Sequence, residues 1–346
     1  MERILAIRLR ALGDVVLTTP ALRALHRGHP GAALEVVTEP RYAPLLDGLE
    51  GVSKVWPLER TGAATVAMIA ALRRRRFSLA VDFFGNPRSA QVTAGAGAAR
   101  TAGYALRGRR HAYQVTVPRD HAPAPGRREY AAAAHLRLAA AVGGAADGLE
   151  ARVARQPSAD AEAARLLAAA GVGDPARTVG LIAAGTWATK TWPLASAALL
   201  SRRLLAAGHG VVAIIGPGEE GLGARLLRLA PGTRQLPPCD VGALAGVLAR
   251  LEAVVGTDSG PRHLAAALGR PTYAWFGPTH PDTWSPPGPQ HGYWQTSLPC
   301  RACDRTACPH WSCMPGLTPD EAADRVLAHL RLHGFQAPAL GPAAGA

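Results

Sequence analysis

Apolar residues fall along this chain in short runs, each followed by a loop of small or polar residues and then by a segment with apolar positions three and four apart. Residues 3–8 (RILAIR) read as a buried strand, 9–13 as a loop, and 14–26 as a helix with Val15, Val16, Ala21, Leu22 and Leu25 on its apolar face; residues 34–38 are the next strand. A strand, helix, strand opening of this kind means a parallel sheet covered by helices. The alternation continues with a strand at 52–57, a helix at 65–72, a strand at 79–83 and a helix at 131–142. The pattern weakens between 145 and 159, a helix follows at 161–170, and Gly173-Asp174-Pro175 punctuates the chain. It then starts afresh, with strands at 179–183 and 209–215, helices at 194–207 and 241–249, and a strand, helix, strand series at 253–276. The expected fold is α/β, with two Rossmann-like, doubly wound domains facing a central cleft, at residues 1–165 and 176–316. A terminal helix is expected at 318–333, and the Ala-, Pro- and Gly-rich tail at 335–346 is expected to be disordered.

A length of 346 residues suits two domains of ordinary size. The chain is 48% hydrophobic yet has no apolar run long enough to span a bilayer, and its opening MERILAIRLRALGD, broken by arginines, has no signal-peptide pattern. A cytoplasmic protein is expected. The net charge of +13 is uneven: residues 1–155 hold 23 Lys+Arg against 12 Asp+Glu, and the remainder is close to balanced. This asymmetry calls for an anionic partner of the first half, such as nucleic acid, acidic lipid or a phosphorylated glycan. Nucleic acid ranks last, because aromatics are only 5% and no nucleic-acid motif occurs. No GxGxxG follows the first strand, which argues against a dehydrogenase, and no GxxxxGK[ST] occurs, which argues against a P-loop NTPase.

The candidate chemistry sits where strands hand over to helices, since ligands of open α/β sheets gather at the carboxyl ends of the strands. In LEAVVGTDSGPRHLAAALGRPTYAWFGPT (251–279), Asp258 or Ser259 can cap a helix that Pro261 opens and Gly269 closes. The free N–H groups of that helix start, at Ser259 and Gly260, suit a phosphate, with His263 in the first turn to add a hydrogen bond or charge. Lys190 is one of only two lysines among 38 basic residues, and with Thr186 it follows the strand at 179–183, where both can reach a phosphate. Glu219, or the adjacent Glu220, can accept from ribose hydroxyls. Asp14 is either a first-turn carboxylate favoured by the helix dipole or a general base. Arg73 to Arg76 are either a solvated helix end or a contact to a phosphate-rich acceptor. His135 reads as structural. Cys300, Cys303, Cys308 and Cys313 are compatible with a structural zinc site, although only the first pair has CxxC spacing, and free or redox-active thiols are the alternative.

The segment GTDSGPRHLAAALGRPTYAWFGPT resembles the nucleotide-diphosphate segment of the glycosyltransferase family 9 heptosyltransferases. RLRALGDVVLTTPALRAL is similar to that family's opening motif, and TKTWP to its donor-phosphate loop. The resemblance implies a GT-B enzyme transferring heptose from ADP-heptose to a lipopolysaccharide core or lipid A-linked acceptor, by direct displacement with inversion and without a required metal. It implies Asp14 as base, and Thr186, Lys190, Asp258, Ser259, Gly260 and His263 around the donor, with Glu219 at the ribose. Asn86, Arg88 and Ser89 would face the acceptor. Similar cysteine clusters recur near the C-terminus of family members. A lipid-linked acceptor and the basic first half together point to the cytoplasmic face of the anionic inner membrane. Other sugar donors or acceptors, a nucleotide-sugar epimerase and a non-catalytic glycolipid-binding protein are the alternatives. An epimerase has no need of the basic half, and a binding protein has no need of Asp14.

Overall fold

A computed structural model describes residues 2–124 and 126–334, so the expected disordered tail at 335–346 lies outside the described residues. The chain divides into two compact units, residues 1–157 with 240–242, and residues 158–239 with 243–346.

In the first unit the strands are β1 (Arg3–Ile7), β2 (Ala33–Thr38), β3 (Val52–Pro57), β4 (Leu79–Asp82), β5 (Arg100–Tyr104) and β6 (Val115–Val117). They form one sheet in the order β3-β2-β1-β4-β5-β6, parallel throughout. The helices are α1 (Leu12–Gly28), α2 (Gly62–Arg73), α3 (Pro87–Gly95) and α4 (Ala131–Ala140). Alternation along β1 explains the double winding: Ile4 and Ala6 join a core with Leu22 and Leu25 of α1 and Leu138 of α4, while Leu5 and Ile7 join another with Met68 and Leu72 of α2 and Val92 of α3. Pro20 lies inside α1 and has no N–H to give to Val16; the Thr19 hydroxyl donates to the Val16 carbonyl instead, at 2.8 Å.

The second unit repeats the plan. Helix α5 (Pro157–Ala169) enters it, followed by β7 (Thr178–Ile182), α6 (Leu194–Ala206), β8 (Gly210–Ala213), α7 (Glu220–Leu229), β9 (Arg234–Gln235), α8 (Val241–Leu248), β10 (Ala253–Thr257), α9 (Gly260–Ala267), β11 (Thr272–Phe276), α10 (Pro281–Trp284), β12 (His291–Gln295) and α11 (Pro319–His333). The sheet order is β12-β11-β10-β7-β8-β9, again all parallel. Its core joins Val179, Leu181, Val255 and Trp275 to Leu200 and Leu204 of α6 and to Val326 and Leu330 of α11. Each sheet therefore reverses strand order once, between β1 and β4 and between β7 and β10, and the loops leaving the carboxyl ends there are where an open α/β sheet takes its ligand. No described helix is long and apolar enough to cross a membrane.

Candidate active site

In the second unit three separate segments meet on one carboxylate. Thr257 closes β10 by donating from Oγ1 to the Ala184 carbonyl at 2.9 Å, tying the end of β10 to the end of β7. Asp258 follows and is buried. Its Oδ2 accepts from Lys190 Nζ at 2.9 Å and from Thr279 Oγ1 at 3.0 Å, and its Oδ1 lies 3.6 Å from His263 Nε2. Burial alone would raise the Asp258 carboxyl, but His263 and the Lys190 charge outweigh it and hold the group well below the usual carboxylate range. Asp258 is thus an ionised junction for the loops after β7, β10 and β11.

The side chains gathered there keep donors to spare. Ser259 is the N-cap of α9 but makes no capping bond, and its Oγ, like His263 Nδ1, is shielded from solvent without a hydrogen-bond partner. Lys190, 14% exposed, stands 4.7 Å from the Trp187 ring centroid and 5.9 Å from that of Trp284. Helix α9 adds the backbone N–H groups of its start, where Pro261 sits without losing a bond. A cation, a hydroxyl, an imidazole nitrogen and a helix start on one junction are the kinds of donor that an anion such as a diphosphate accepts from. Thr186 is exposed on the same loop as Lys190. Glu219 and Glu220 both fold back on their own loop, Glu219 Oε2 accepting from Gly216 N at 2.9 Å and Glu220 Oε1 from Gly218 N at 3.0 Å.

Sequence reasoning assigned no role to Thr279. Arg262 is almost fully buried and donates to the Trp284 carbonyl at 3.2 Å and to Ser285 Oγ at 3.0 Å. Trp284 also lies 6.2 Å from the His263 ring. Thr279 lies in the loop beyond β11, where nothing local in the sequence marks it as a partner of Asp258.

In the first unit Asp14 lies in the first turn of α1, half-buried. Its Oδ1 is 2.6 Å from Arg8 Nη2, and its Oδ2 accepts from Ala11 N at 3.3 Å. Asn86 caps α3, its Oδ1 accepting from Ser89 N at 2.7 Å. Ser89 Oγ donates to Asp82 Oδ2 at 2.7 Å, and Tyr113 Oη donates to the same oxygen at 2.6 Å. Burial pushes the Asp82 carboxyl up against these donors. Arg88 donates to Thr65 Oγ1 at 2.9 Å and to the Glu59 carbonyl. His135 is buried against Tyr104, Nδ1 to Oη 2.6 Å, and burial with the nearby Arg8 and Arg119 keeps its imidazole neutral.

The described residues give no support to the zinc reading of the cysteines. Among the described residues no group of three or more His, Cys, Asp or Glu side chains could hold a metal ion. Cys300 and Cys303 are exposed, Cys308 Sγ accepts from Trp311 N at 3.4 Å, and Cys313 packs against the core of the second unit beneath Gly277. A loop that turns one thiol inward and leaves two outside does not assemble a tetrahedral set.

Residues 65–312 match the family model for glycosyltransferase family 9 (heptosyltransferase). Lipopolysaccharide heptosyltransferase 1 of Pseudomonas aeruginosa is 30% identical over 331 residues, covering 88% of this chain and 87% of that protein. Among solved structures, heptosyltransferase II of Escherichia coli superposes with a TM-score of 0.78 at 20% identity, over 96% of this chain and 99% of the other. The Escherichia coli heptosyltransferase WaaC with ADP gives 0.72 at 21% identity, over 94% and 99%. The two parallel six-stranded sheets found here match the GT-B architecture of these heptosyltransferase structures. With the family model and the Pseudomonas relative spanning most of its length, the chain belongs to glycosyltransferase family 9, the heptosyltransferases, and is a glycosyltransferase.

Proposed function

We propose that this enzyme transfers heptose from ADP-heptose to a lipopolysaccharide core or lipid A-linked acceptor, with inversion and without a required metal. The observation that carries the reading is the Asp258 junction, which sets Lys190, Ser259, His263 and the start of α9 around one place fit for a diphosphate. The name of the Pseudomonas relative supports lipopolysaccharide as the acceptor, and the Escherichia coli neighbour's complex with ADP makes ADP-heptose the first donor to test.

In this mechanism Asp14 removes the proton of the acceptor hydroxyl, a role worth roughly 10² to 10⁴ in rate. The oxygen attacks the anomeric carbon from the face opposite the diphosphate, whose departure inverts the centre. Lys190, Thr186, Ser259, Gly260 and His263 take up the charge that grows on the leaving group, and preorganised donors of this kind carry the largest share of such catalysis. Asp258 acts by fixing Lys190 and His263, and Glu219 meets the ribose. Asn86, Arg88 and Ser89 belong to the acceptor side, residues 1–165 being the acceptor domain and 176–316 the donor domain.

The same reading places the enzyme peripherally on the cytoplasmic face of the inner membrane. Its support is the positive first half and the exposed side of α2, where Ala63, Val66, Ala67 and Ala70 lead into exposed Arg73, Arg74 and Arg76.

The test is ADP release from ADP-heptose with heptose-deficient lipopolysaccharide, in the wild type and in Asp14→Ala. Acceptor-dependent release that collapses in the variant supports transferase and base together. Release that survives moves the base elsewhere, and no release from either protein rejects this donor and acceptor pair.

A further inference from the structure

Arg8, the residue that follows β1, is buried with its side chain 3% exposed, yet it carries a charge. Its guanidinium is held on three sides. Nη1 donates to the Phe83 carbonyl at 2.6 Å, the Phe84 ring centroid lies 4.9 Å away, and Nη2 stands 2.6 Å from Asp14 Oδ1. The titratable and charged groups that face it from neighbouring elements are Tyr104 of β5, His135 of α4 and Arg119, with Glu129 and Arg137 beside Tyr104. Tyr104 and His135 are both kept neutral by burial, and Glu129 is paired with Arg137 at 2.9 Å. Among the described residues Asp14 is the carboxylate that Arg8 engages.

The two oxygens of Asp14 are therefore unequal. Oδ1 is taken by a short, charge-assisted contact. Oδ2 meets the Ala11 N–H at 3.3 Å, beyond the usual range for such a bond, and keeps acceptor capacity for an incoming hydroxyl.

We propose that Arg8 is the positioning residue of the base: it grips Asp14 by Oδ1 so that Oδ2 takes the proton of the acceptor hydroxyl. As that O–H bond breaks, the oxygen bonds to the anomeric carbon, and the electron pair of the breaking sugar–diphosphate bond leaves with the diphosphate. This rests on the reading of Asp14 as base.

The experiment is a double-mutant cycle on the full chain, with kcat and donor KM read separately by ADP release and folding checked by thermal unfolding. The proteins are the wild type, Arg8→Met, Arg8→Lys, Asp14→Asn, and Asp14→Asn combined with each Arg8 variant. Arg8→Met should lower kcat roughly 10- to 100-fold with donor KM within about twofold, because a misplaced base costs rate and not donor affinity. Arg8→Lys, a cation without the fork, should recover part of the loss and serves in the cycle where the Met variant does not fold. In the Asp14→Asn background either Arg8 change should cost less than about twofold. An equal loss in both backgrounds, or a raised donor KM with kcat intact, overturns the proposal. Wild-type rates in Asp14→Asn alone would instead mean that Asp14 is not the base, an outcome the cycle separates from a failure of Arg8.

Discussion

Lys190 Nζ and Asp258 Oδ2 lie 2.9 Å apart across 68 residues of sequence, and the pair is unequally covered: the aspartate is 3% exposed and the lysine 14%. The buried member fixes the position, and the more open one keeps protons for a ligand. Lys190→Met keeps an unbranched apolar stem and removes the charge, whose Nζ stands 4.7 Å from the Trp187 ring centroid. It should lower kcat/KM for the donor by about 10²-fold, the scale for loss of one preorganised charge-stabilising group. Steady-state kinetics check this, and a variant within threefold of the wild type places the diphosphate away from Lys190.

Gly256, inside β10, has φ +143°, and a Cβ there would come within 2.1 Å of the Ile182 carbonyl oxygen. Both the backbone angle and the neighbouring strand demand glycine. Gly256→Ala should cost about 2–4 kcal/mol in denaturant unfolding. A loss below about 0.5 kcal/mol would show that β7 and β10 can part to admit a methyl group.

On β12 and α11, burial together with Arg262 and His329 pulls the His291 imidazole down to about 3, and burial together with His333 pulls His329 down to about 4. Both are neutral when folded, and when unfolded both bind a proton near the ordinary value of 6.5. Their contribution to stability is therefore complete above pH 6.5 and is lost as pH falls from there toward 4 and 3. At pH 5 the loss should be on the order of 1–2 kcal/mol per histidine. Thermal unfolding between pH 5 and pH 8, in wild type and His329→Gln, checks it: the variant should show a smaller drop, and an equal drop in both rejects His329 as a source.

The exposed side of α2 gives the membrane reading a local test. Vesicles containing anionic phospholipid should retain the wild type at low salt and release it as salt rises. Replacing Arg73, Arg74 and Arg76 together by Gln should weaken retention by about two orders of magnitude, at about 1 kcal/mol for each arginine near the surface. Wild-type protein that ignores such vesicles at low salt rejects the membrane contact, and unchanged retention of the variant moves it to another face.

The parts of the fold that could be read from sequence were those whose local chemistry and tertiary role agree. Residues 4–7 (ILAI) and 79–81 (LAV) are buried on both faces, so each is a continuous apolar run, and β1 and β4 follow. The segment 62–73 forms a helix a little longer than its periodic stretch, because Thr61 caps it by accepting from Ala64 N. The edge of the first sheet was not legible: β5 and β6, RTAGY and VTV, are short and half-polar, and Gly103 is there because the Tyr113 ring fills the place of a Cβ. Strand β12, HGYWQ, is an edge strand for which pairing with β11 decides the conformation. Around the candidate site, glycines and a cap marked where α9 begins, and scarcity marked Lys190. Sequence could not place Thr279 against Asp258, because that contact arises only once parallel strands set two loops side by side, nor Arg8 against Asp14, because the path of the β1–α1 connection decides whether its two ends meet.

The junction on Asp258 also bears on how this protein can change over generations. One carboxylate serves Lys190, Thr279 and His263, so no one of the four can drift alone without leaving a donor or an acceptor unsatisfied. Substitutions at positions 190, 258, 263 and 279 should travel together through a lineage, and a descendant that takes a differently charged donor would replace the set as one inherited block.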